Sequence, residues 1–228
     1  MGKESAWRQA SPVIPGREVL EAIYRQLFDY YGPQHWWPAQ TPFEVMVGAV
    51  LTQNTAWTHV ERAIENLRRA DLLDPAAISS VKQPALAEYL KPAGYFNVKA
   101  KRLQALSQFL LNRSGLEQLE TAELKQQLLS IHGIGPETAD DILLYAFQRP
   151  VFVIDAYTRR LFGRLGVMDE KASYEVLSSG FERALRADTQ LFNEYHALIV
   201  VHAKDVCRTK PSCETCCLRQ CCDYSDNR

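Results

Sequence analysis

Apolar side chains recur at the spacing of an α-helix along most of the chain, and few segments alternate between polar and apolar residues as a β-strand does. This period predicts helices at residues 19–31, 42–51, 57–70, 86–90, 97–111, 121–131, 136–147, 156–165, 173–187 and 190–203. The single strand-like run covers residues 151–154. Because a parallel sheet needs several such runs, the pattern predicts an all-α fold.

All six cysteines lie in the last 22 residues. Four of them follow the spacing Cys207-x5-Cys213-x2-Cys216-x5-Cys222. Four thiolates from one short segment can supply one ligand to each iron of a [4Fe–4S] cluster. A four-cysteine zinc ribbon usually has two Cys-x2-Cys pairs, whereas this segment has one such pair with a partner on either side. The spacing therefore favours a [4Fe–4S] cluster held by these four cysteines over zinc.

A disulfide framework is a further alternative for the cysteines, but it requires an oxidising compartment. Residues 1–5 lead into no apolar stretch that could serve as a signal peptide. We therefore expect a cytoplasmic chain with reduced thiols. Cys217 and Cys221 remain outside the four-ligand pattern, and Cys221 could replace Cys222 as the fourth ligand.

The chain has 26 Lys and Arg and 27 Asp and Glu, which gives a formal charge of −1. The overall charge therefore does not indicate a polyanionic partner. Any contact with nucleic acid must therefore be local. Basic residues do gather in three places, namely Lys99 with Lys101 and Arg102, Arg159 with Arg160 and Arg164, and Arg208 with Lys210. Such clusters are more often solvated faces than phosphate sites. No apolar run approaches the roughly 20 residues that span a bilayer, so we expect no membrane partner.

Two segments can carry chemistry. The run 131–139 predicts two helices joined by a short turn, Gly133-Ile134-Gly135, whose glycines permit a close approach of the backbone to another molecule. The N-terminus of the following helix can bind a phosphate through its N–H groups, although an ordinary turn between two helices explains the glycines equally well. Asp155 follows the apolar run 151–154 and stands where a helix begins, which predicts a helix N-cap.

In this order and spacing, the Gly133-Ile134-Gly135 hairpin, the Val-Ile-Asp155 step and the cysteine loop resemble the helix-hairpin-helix DNA glycosylases of the endonuclease III superfamily. The resemblance covers nearly the whole chain and is strongest to the 3-methyladenine DNA glycosylase branch. It implies a two-lobed fold with a six-helix barrel at 39–130. The second lobe comprises 1–38 and 131–228, with the hairpin at 131–139 and the iron–sulfur loop at 207–222.

The resemblance also implies a function. We expect a monomer that binds double-stranded DNA across the cleft between the lobes, with a damaged nucleotide flipped out. Asp155 takes the catalytic role in the family. We expect the backbone of Gly133, Ile134 and Gly135 to contact DNA, and Arg208 and Lys210 on the cluster loop to face phosphates. Asn54 matches the residue that fills the gap left in the duplex, and Gln53 is the neighbouring candidate. The family's closing gap of five residues favours Cys222 as the fourth cluster ligand.

One position departs from the family members that cut the DNA strand. Those members carry a lysine two residues after the second glycine, and that lysine attacks the sugar to form a Schiff base. Here the position is Glu137, which cannot form an imine. We therefore expect a monofunctional glycosylase of base excision repair that leaves an abasic site, with Glu137 lining the base pocket.

Aromatic residues indicate which base is removed. Trp36-Trp37-Pro38 precedes the barrel, and Trp57 follows the Gln53-Asn54-Thr55 stretch. In the 3-methyladenine branch the matching segments line the base pocket. An N-alkylated purine is cationic and stacks well on electron-rich rings, so the sequence favours an alkylated purine.

Three alternatives stay open. Asp155 and the hairpin would also serve an oxidised-pyrimidine or mismatch (thymine or uracil) glycosylase. A non-catalytic iron–sulfur module that recognises DNA structure is a second alternative. A zinc-stabilised helical protein unrelated to DNA is the third.

Overall fold

The computed structural model describes residues 13–226, and the first part of the expected cluster lobe, residues 1–12, lies outside them, as do residues 227–228. Its helices are α1 (Arg17–Tyr31), α2 (Pro42–Leu51), α3 (Trp57–Arg69), α4 (Pro75–Ser80), α5 (Gln83–Leu90), α6 (Phe96–Leu111), α7 (Thr121–Leu129), α8 (Pro136–Asp141), α9 (Ala156–Leu165), α10 (Tyr174–Leu185), α11 (Thr189–Asp205) and α12 (Asp223–Asp226). A π-helical segment, Ile142–Ala146, continues α8. Residues 13–226 contain no β-strand, which confirms the all-α prediction. Within that range no helix is both long enough and apolar enough to span a membrane.

The strand-like run at 151–154 is buried and extended, but it has no strand partner. Side chains of α10 satisfy its backbone instead. Phe152 N–H donates to Glu182 Oε1 at 3.0 Å, and Ser178 Oγ donates to the Phe152 carbonyl at 2.9 Å. Polar groups from a neighbouring helix thus let an extended segment stay in the core without a sheet.

The chain forms two compact units, one built from the chain up to Trp36 together with the chain from Pro150 onward, and the other from Trp37–Arg149. We call them the terminal unit and the central unit. The expected boundary at 130–131 differs from the observed one at Arg149–Pro150. The hairpin at 131–139 therefore belongs with the helices of the central unit, because α8 and the π-helical segment pack against α2 and α8 against α7.

Helix α2 forms the middle of the central unit. Its residues from Glu44 to Leu51 are all buried, as the apolar composition of this segment predicts. Thr41 caps its first turn by accepting from Glu44 N–H at 3.1 Å. The buried Glu44 carboxylate pairs with Arg68 of α3 at 2.5 Å, so the charge inside this helix is neutralised.

The core of the terminal unit is aromatic. Its buried rings are Phe152, Phe162, Phe181, Phe192 and Tyr195. Phe152 stacks on Phe181 with 4.5 Å between ring centroids, and Tyr195 donates a hydrogen bond to the Leu20 carbonyl at 2.8 Å. These contacts tie α1, α10 and α11 around the segment that leads into Asp155.

Candidate functional site

Asp155 lies at the first position before α9 and caps that helix, as the sequence predicts. Its Oδ1 accepts a hydrogen bond from Thr158 N–H at 2.7 Å. Its Oδ2 lies 3.6 Å from Nε2 of His196, a buried residue of α11. The side chain of Asp155 is 13% exposed, so one carboxylate is held firmly and remains accessible.

Two opposing effects act on the pKa of Asp155. Burial raises it, whereas the nearby His196 and the N–H of Thr158 lower it. The lowering effects prevail, so the pKa of Asp155 lies below its usual value of 3.8. Asp155 is therefore a carboxylate at neutral pH, which suits it to stabilise a developing positive charge or to orient a water molecule.

The hairpin between α7 and α8 has the tight turn that its glycines predict. Gly133 has φ +87°, and a Cβ there would lie 2.5 Å from Cγ of Arg102 on α6. Both the backbone conformation and the close contact with Arg102 therefore favour glycine at this position. Ile134 is buried, so its side chain is not available to a ligand. Glu137 is exposed in the first turn of α8.

The neighbouring loop at residues 52–56 distinguishes the two gap-filling candidates. Gln53 is engaged within the central unit, because its Nε2 donates to the Gly133 carbonyl at 3.0 Å and to Thr138 Oγ1 at 2.8 Å, while its Oε1 accepts from Arg102. Asn54 is exposed and has φ 54°. Asparagine tolerates this left-handed conformation better than most residues do, so Asn54 is the side chain that the loop presents.

Aromatic rings gather elsewhere in the central unit. Trp37 meets Trp57 edge to face with 5.3 Å between centroids, and it meets Tyr145 of the π-helical segment at 5.1 Å. Gly48 of α2 makes room for this packing, since a Cβ there would lie 2.9 Å from the Trp37 ring. Trp57 Nε1 donates to the Glu61 carboxylate at 2.7 Å, which orients its ring and makes it more electron-rich.

Two further members of the predicted base pocket are Trp36 and Pro38. Trp36 belongs to the terminal unit, and Pro38 is exposed in the central unit. Each unit thus holds one of the two adjacent tryptophans.

The cysteine loop lines one cavity in the terminal unit. The four cysteines of the predicted pattern line it, namely Cys207, Cys213, Cys216 and Cys222. Cys217 and Cys221 do not line it. Among residues 13–226, no group of three or more His, Cys, Asp or Glu side chains is arranged to hold a single metal ion. Four thiols around one cavity match the number of ligands that a [4Fe–4S] cluster takes from a protein.

Two arginines of α9 hold the cysteine loop in place. Arg164 donates to the Arg208 carbonyl at 2.6 Å and approaches Cys207 Sγ at 3.4 Å, and Arg160 donates to the Cys207 carbonyl at 2.8 Å. Arg208 and Lys210 are exposed on this loop. Burial is the main cause that raises the pKa of the Cys216 thiol to about 12, and it also raises the pKa of Cys222.

Comparison with known proteins decides the family. The family model for HhH-GPD superfamily base excision DNA repair proteins matches residues 47–187, which is more than half of the chain. This chain belongs to the HhH-GPD superfamily. A Methanocaldococcus jannaschii protein, provisionally named a DNA repair glycosylase, is 49% identical over 90% of this chain and 96% of its own length.

Solved structures of this superfamily have the same fold. The crystal structure of H. pylori 3-methyladenine DNA glycosylase bound to 1,N6-ethenoadenine is 33% identical, covers 82% of this chain and 96% of that one, and has a TM-score of 0.71. A non-covalent endonuclease III–DNA complex has a TM-score of 0.79 at 18% identity, with 93% of this chain and 97% of that one covered. The protein is thus a DNA glycosylase of the HhH-GPD superfamily with the endonuclease III fold.

Several residues of this glycosylase site escape sequence analysis. His196, Tyr145 and Gly48 carry no motif, and each acquires its role from a tertiary contact outside its own helix. Lys99 was expected on a solvated face but is buried, with its ammonium donating to three oxygens. The only feature of the sequence that indicates a buried Lys99 is its position on the apolar side of α6, three residues before Arg102.

Proposed function

We propose that this DNA glycosylase removes an alkylated purine, such as 3-methyladenine, and leaves an abasic site. The group of Trp37, Trp57 and Tyr145 is the observation that carries this proposal. An N-alkylated purine is cationic, and a cation is attracted to the face of an electron-rich ring. The carboxylate of Glu61 beside Trp57 adds negative potential at the same place. The similarity to a 3-methyladenine DNA glycosylase supports the same substrate class.

Asp155 is the proposed catalytic residue. As the bond between C1′ and the purine nitrogen breaks, its electron pair leaves with the base and neutralises the base's positive charge. The sugar then becomes cationic, and the Asp155 carboxylate stabilises that charge. A water molecule oriented by Asp155 forms the new bond to C1′, and its proton passes to the carboxylate. Because the cationic base is already a good leaving group, no strong general acid is needed.

Each remaining contact has a proposed role in binding DNA. The backbone of Gly133, Ile134 and Gly135 binds a phosphate near the start of α8, where helix N–H groups point outward. Asn54 fills the gap that the flipped nucleotide leaves. Arg208 and Lys210 contact phosphates from the cysteine loop, so local charge acts although the whole chain is nearly neutral.

The cysteine loop is proposed to hold a [4Fe–4S] cluster through Cys207, Cys213, Cys216 and Cys222. The cavity that these four thiols line supports this assignment. When bound, the cluster supplies a rigid covalent link among four points of the loop. Arg160 and Arg164 attach that loop to α9, whose first turn is capped by Asp155.

The substrate assignment is tested with three duplexes side by side, carrying methylated bases, an oxidised pyrimidine or a G·T mismatch. Released bases are measured by chromatography, and strand breaks before and after alkali. Release of methylated purines, with breaks that appear only after alkali, is expected. Release from the oxidised or mismatched duplex alone would assign this glycosylase to the other branch of its superfamily.

Glu137→Lys is expected not to install efficient strand cleavage. A Schiff-base lysine must be desolvated and aimed at the sugar, whereas position 137 is exposed. The nearest lysine upstream, Lys125, is paired with Asp140 at 2.8 Å. Borohydride trapping on DNA measures imine formation, and trapping as efficient as that of a true lyase would contradict this prediction.

Cys222→Ser is expected to lose the cluster, whereas Cys221→Ser keeps it, because Cys222 lines the cavity and Cys221 does not. Iron and sulfide per chain and the visible absorbance of the purified variants provide the measurement. The two variants are matched controls, since they change adjacent cysteines by the same atom. Loss of iron from Cys221→Ser, or zinc in the unmodified protein, would overturn the ligand assignment.

His196→Asn is expected to shift the acidic limb of base release to higher pH. With His196 present, the pKa of Asp155 lies below 3.8, so the active carboxylate persists until the pH falls through that low value. Without His196 the effect of burial is less well opposed, and the carboxylate protonates at a higher pH. Rates from pH 4 to 7 on methylated DNA provide the test, with His35→Asn, an exposed histidine of the terminal unit, as control. An unchanged acidic limb would show that His196 does not act on Asp155.

A further inference from the structure

Two cations of α6, Lys99 and Arg102, donate hydrogen bonds to residues at the end of α2 and in the loop at residues 52–56. Lys99 holds one side, since its Nζ donates to the Leu51 carbonyl at 2.8 Å, to Thr55 Oγ1 at 2.5 Å and to the Ala93 carbonyl at 2.8 Å. An ammonium group has three donors, so all of them are used. Burial, with a smaller contribution from the charge of Arg102, lowers the pKa of Lys99 to about 8.

Gln53 joins the other side of the loop to the hairpin. Its amide nitrogen donates to the Gly133 carbonyl and to Thr138 Oγ1, and its amide oxygen accepts from Arg102. One side chain thus connects the end of α2, the hairpin turn, α8 and α6. These groups are separated by 49 to 85 residues along the chain, so the bridge is a tertiary feature that local propensity does not supply.

Gly133 makes this bridge possible. A Cβ at Gly133 would lie 2.5 Å from both Cγ and Nε of Arg102, so the arginine stem rests directly on the turn. The glycine therefore has a second role besides its positive φ, because it admits the cation that fixes Gln53. Asn54 remains exposed at the adjacent position of the fixed loop.

We propose that Arg102 and Gln53 couple the hairpin to the loop that presents Asn54, so that hairpin binding to a phosphate and entry of Asn54 into the duplex gap are one linked step. This inference rests on the roles of the hairpin and Asn54 in the proposed function. The physical reason is preorganisation, since a loop fixed before binding does not have to be ordered during binding. Arg102 and Gln53 act here as positioning residues and need not touch DNA.

The test compares an intact duplex with the same duplex carrying a tetrahydrofuran abasic analogue. Fluorescence anisotropy gives the affinity for each, and 2-aminopurine opposite the analogue reports insertion through its unstacking. Arg102→Ala and Gln53→Ala are each expected to lower the preference for the analogue by about tenfold, the value of one hydrogen bond to a charged group. Affinity for the intact duplex changes much less, and the 2-aminopurine signal falls. The double variant is expected to lose no more than the larger single change, as coupled residues do.

Lys101→Ala is the matched control, because it removes the same charge from the adjacent, exposed position of α6. It is expected to weaken both duplexes equally. Gln53→Glu keeps an acceptor for Arg102 and removes the donor to Gly133 and Thr138. The variant therefore keeps an ion pair between residue 53 and Arg102 but loses the hydrogen bonds to the hairpin. It should lower the preference for the analogue as much as Gln53→Ala does.

Two results would overturn the coupling. One is an Arg102→Ala variant that weakens both duplexes equally, as the control does, which would make Arg102 a direct phosphate contact. The other is additive loss in the double variant. A different result would contradict the proposed function and leave the coupling intact. In that case the unmodified protein would release no base, while its preference for the analogue would still depend on Arg102 and Gln53.

Discussion

Asp155→Asn is expected to lower base release by about a thousandfold, the upper range for removing one group that stabilises transition-state charge. Asparagine keeps an oxygen that can accept from Thr158 N–H, so the cap of α9 and the fold should persist. What is lost is the negative charge. The measurement is the single-turnover rate of base release from methylated DNA, with affinity for a duplex containing an abasic analogue determined in parallel.

Asp188→Asn is the matched control for this change. Asp188 caps α11 in the same unit by accepting from Leu191 N–H at 3.0 Å, so it has the capping role without the proposed catalytic one. Its variant should release bases at the unmodified rate. An Asp155→Asn protein that released bases as fast as Asp188→Asn would show that Asp155 is only a cap. Absence of release by the unmodified protein from any damaged duplex would favour a non-catalytic module.

Local patterns predict a large part of this fold and site. The helical period predicts α2 and α9 with their observed bounds, because each helix buries a continuous apolar stripe or is buried on nearly all sides. The N-cap at Asp155 is also predictable, since it depends on residues within one turn. The four cysteines are predictable for the same reason, as one short segment contributes them all to one cavity.

Long-range contacts account for what the sequence does not predict. The run 151–154 looks like a strand but takes its backbone partners from α10 side chains such as Glu182. Lys99 looks like part of a solvated basic cluster, but three oxygens brought together by tertiary packing satisfy its ammonium. Gln53 is the neighbouring candidate to Asn54 for entering DNA, and its hydrogen bonds to Gly133 and Thr138, which hold it within the central unit, are not visible in the sequence. In each case the deciding partner lies far along the chain.

Trp57→Ala is expected to lower release of 3-methyladenine by about a hundredfold, from the combined loss of base stacking and of the cation–π attraction. The loss should be much smaller for 1,N6-ethenoadenine, a neutral base that loses only the stacking. The difference between the two substrates therefore isolates the electrostatic part of recognition. Rates on the two duplexes, each carrying one lesion at the same position, provide the comparison.

Two matched variants make this prediction sharper. Trp57→Phe keeps a ring but removes the indole N–H that donates to Glu61, so it should retain most of the stacking on both substrates. Glu61→Gln keeps an acceptor for that N–H and removes only the negative charge, so it should slow release of the cationic base and leave the neutral one unchanged. Equal losses on both substrates in every variant would mean that Trp57 serves as packing for Trp37 and that charge plays no part in base selection. A cation-specific loss in both Trp57→Ala and Glu61→Gln would tie substrate choice to one aromatic ring and the carboxylate that polarises it.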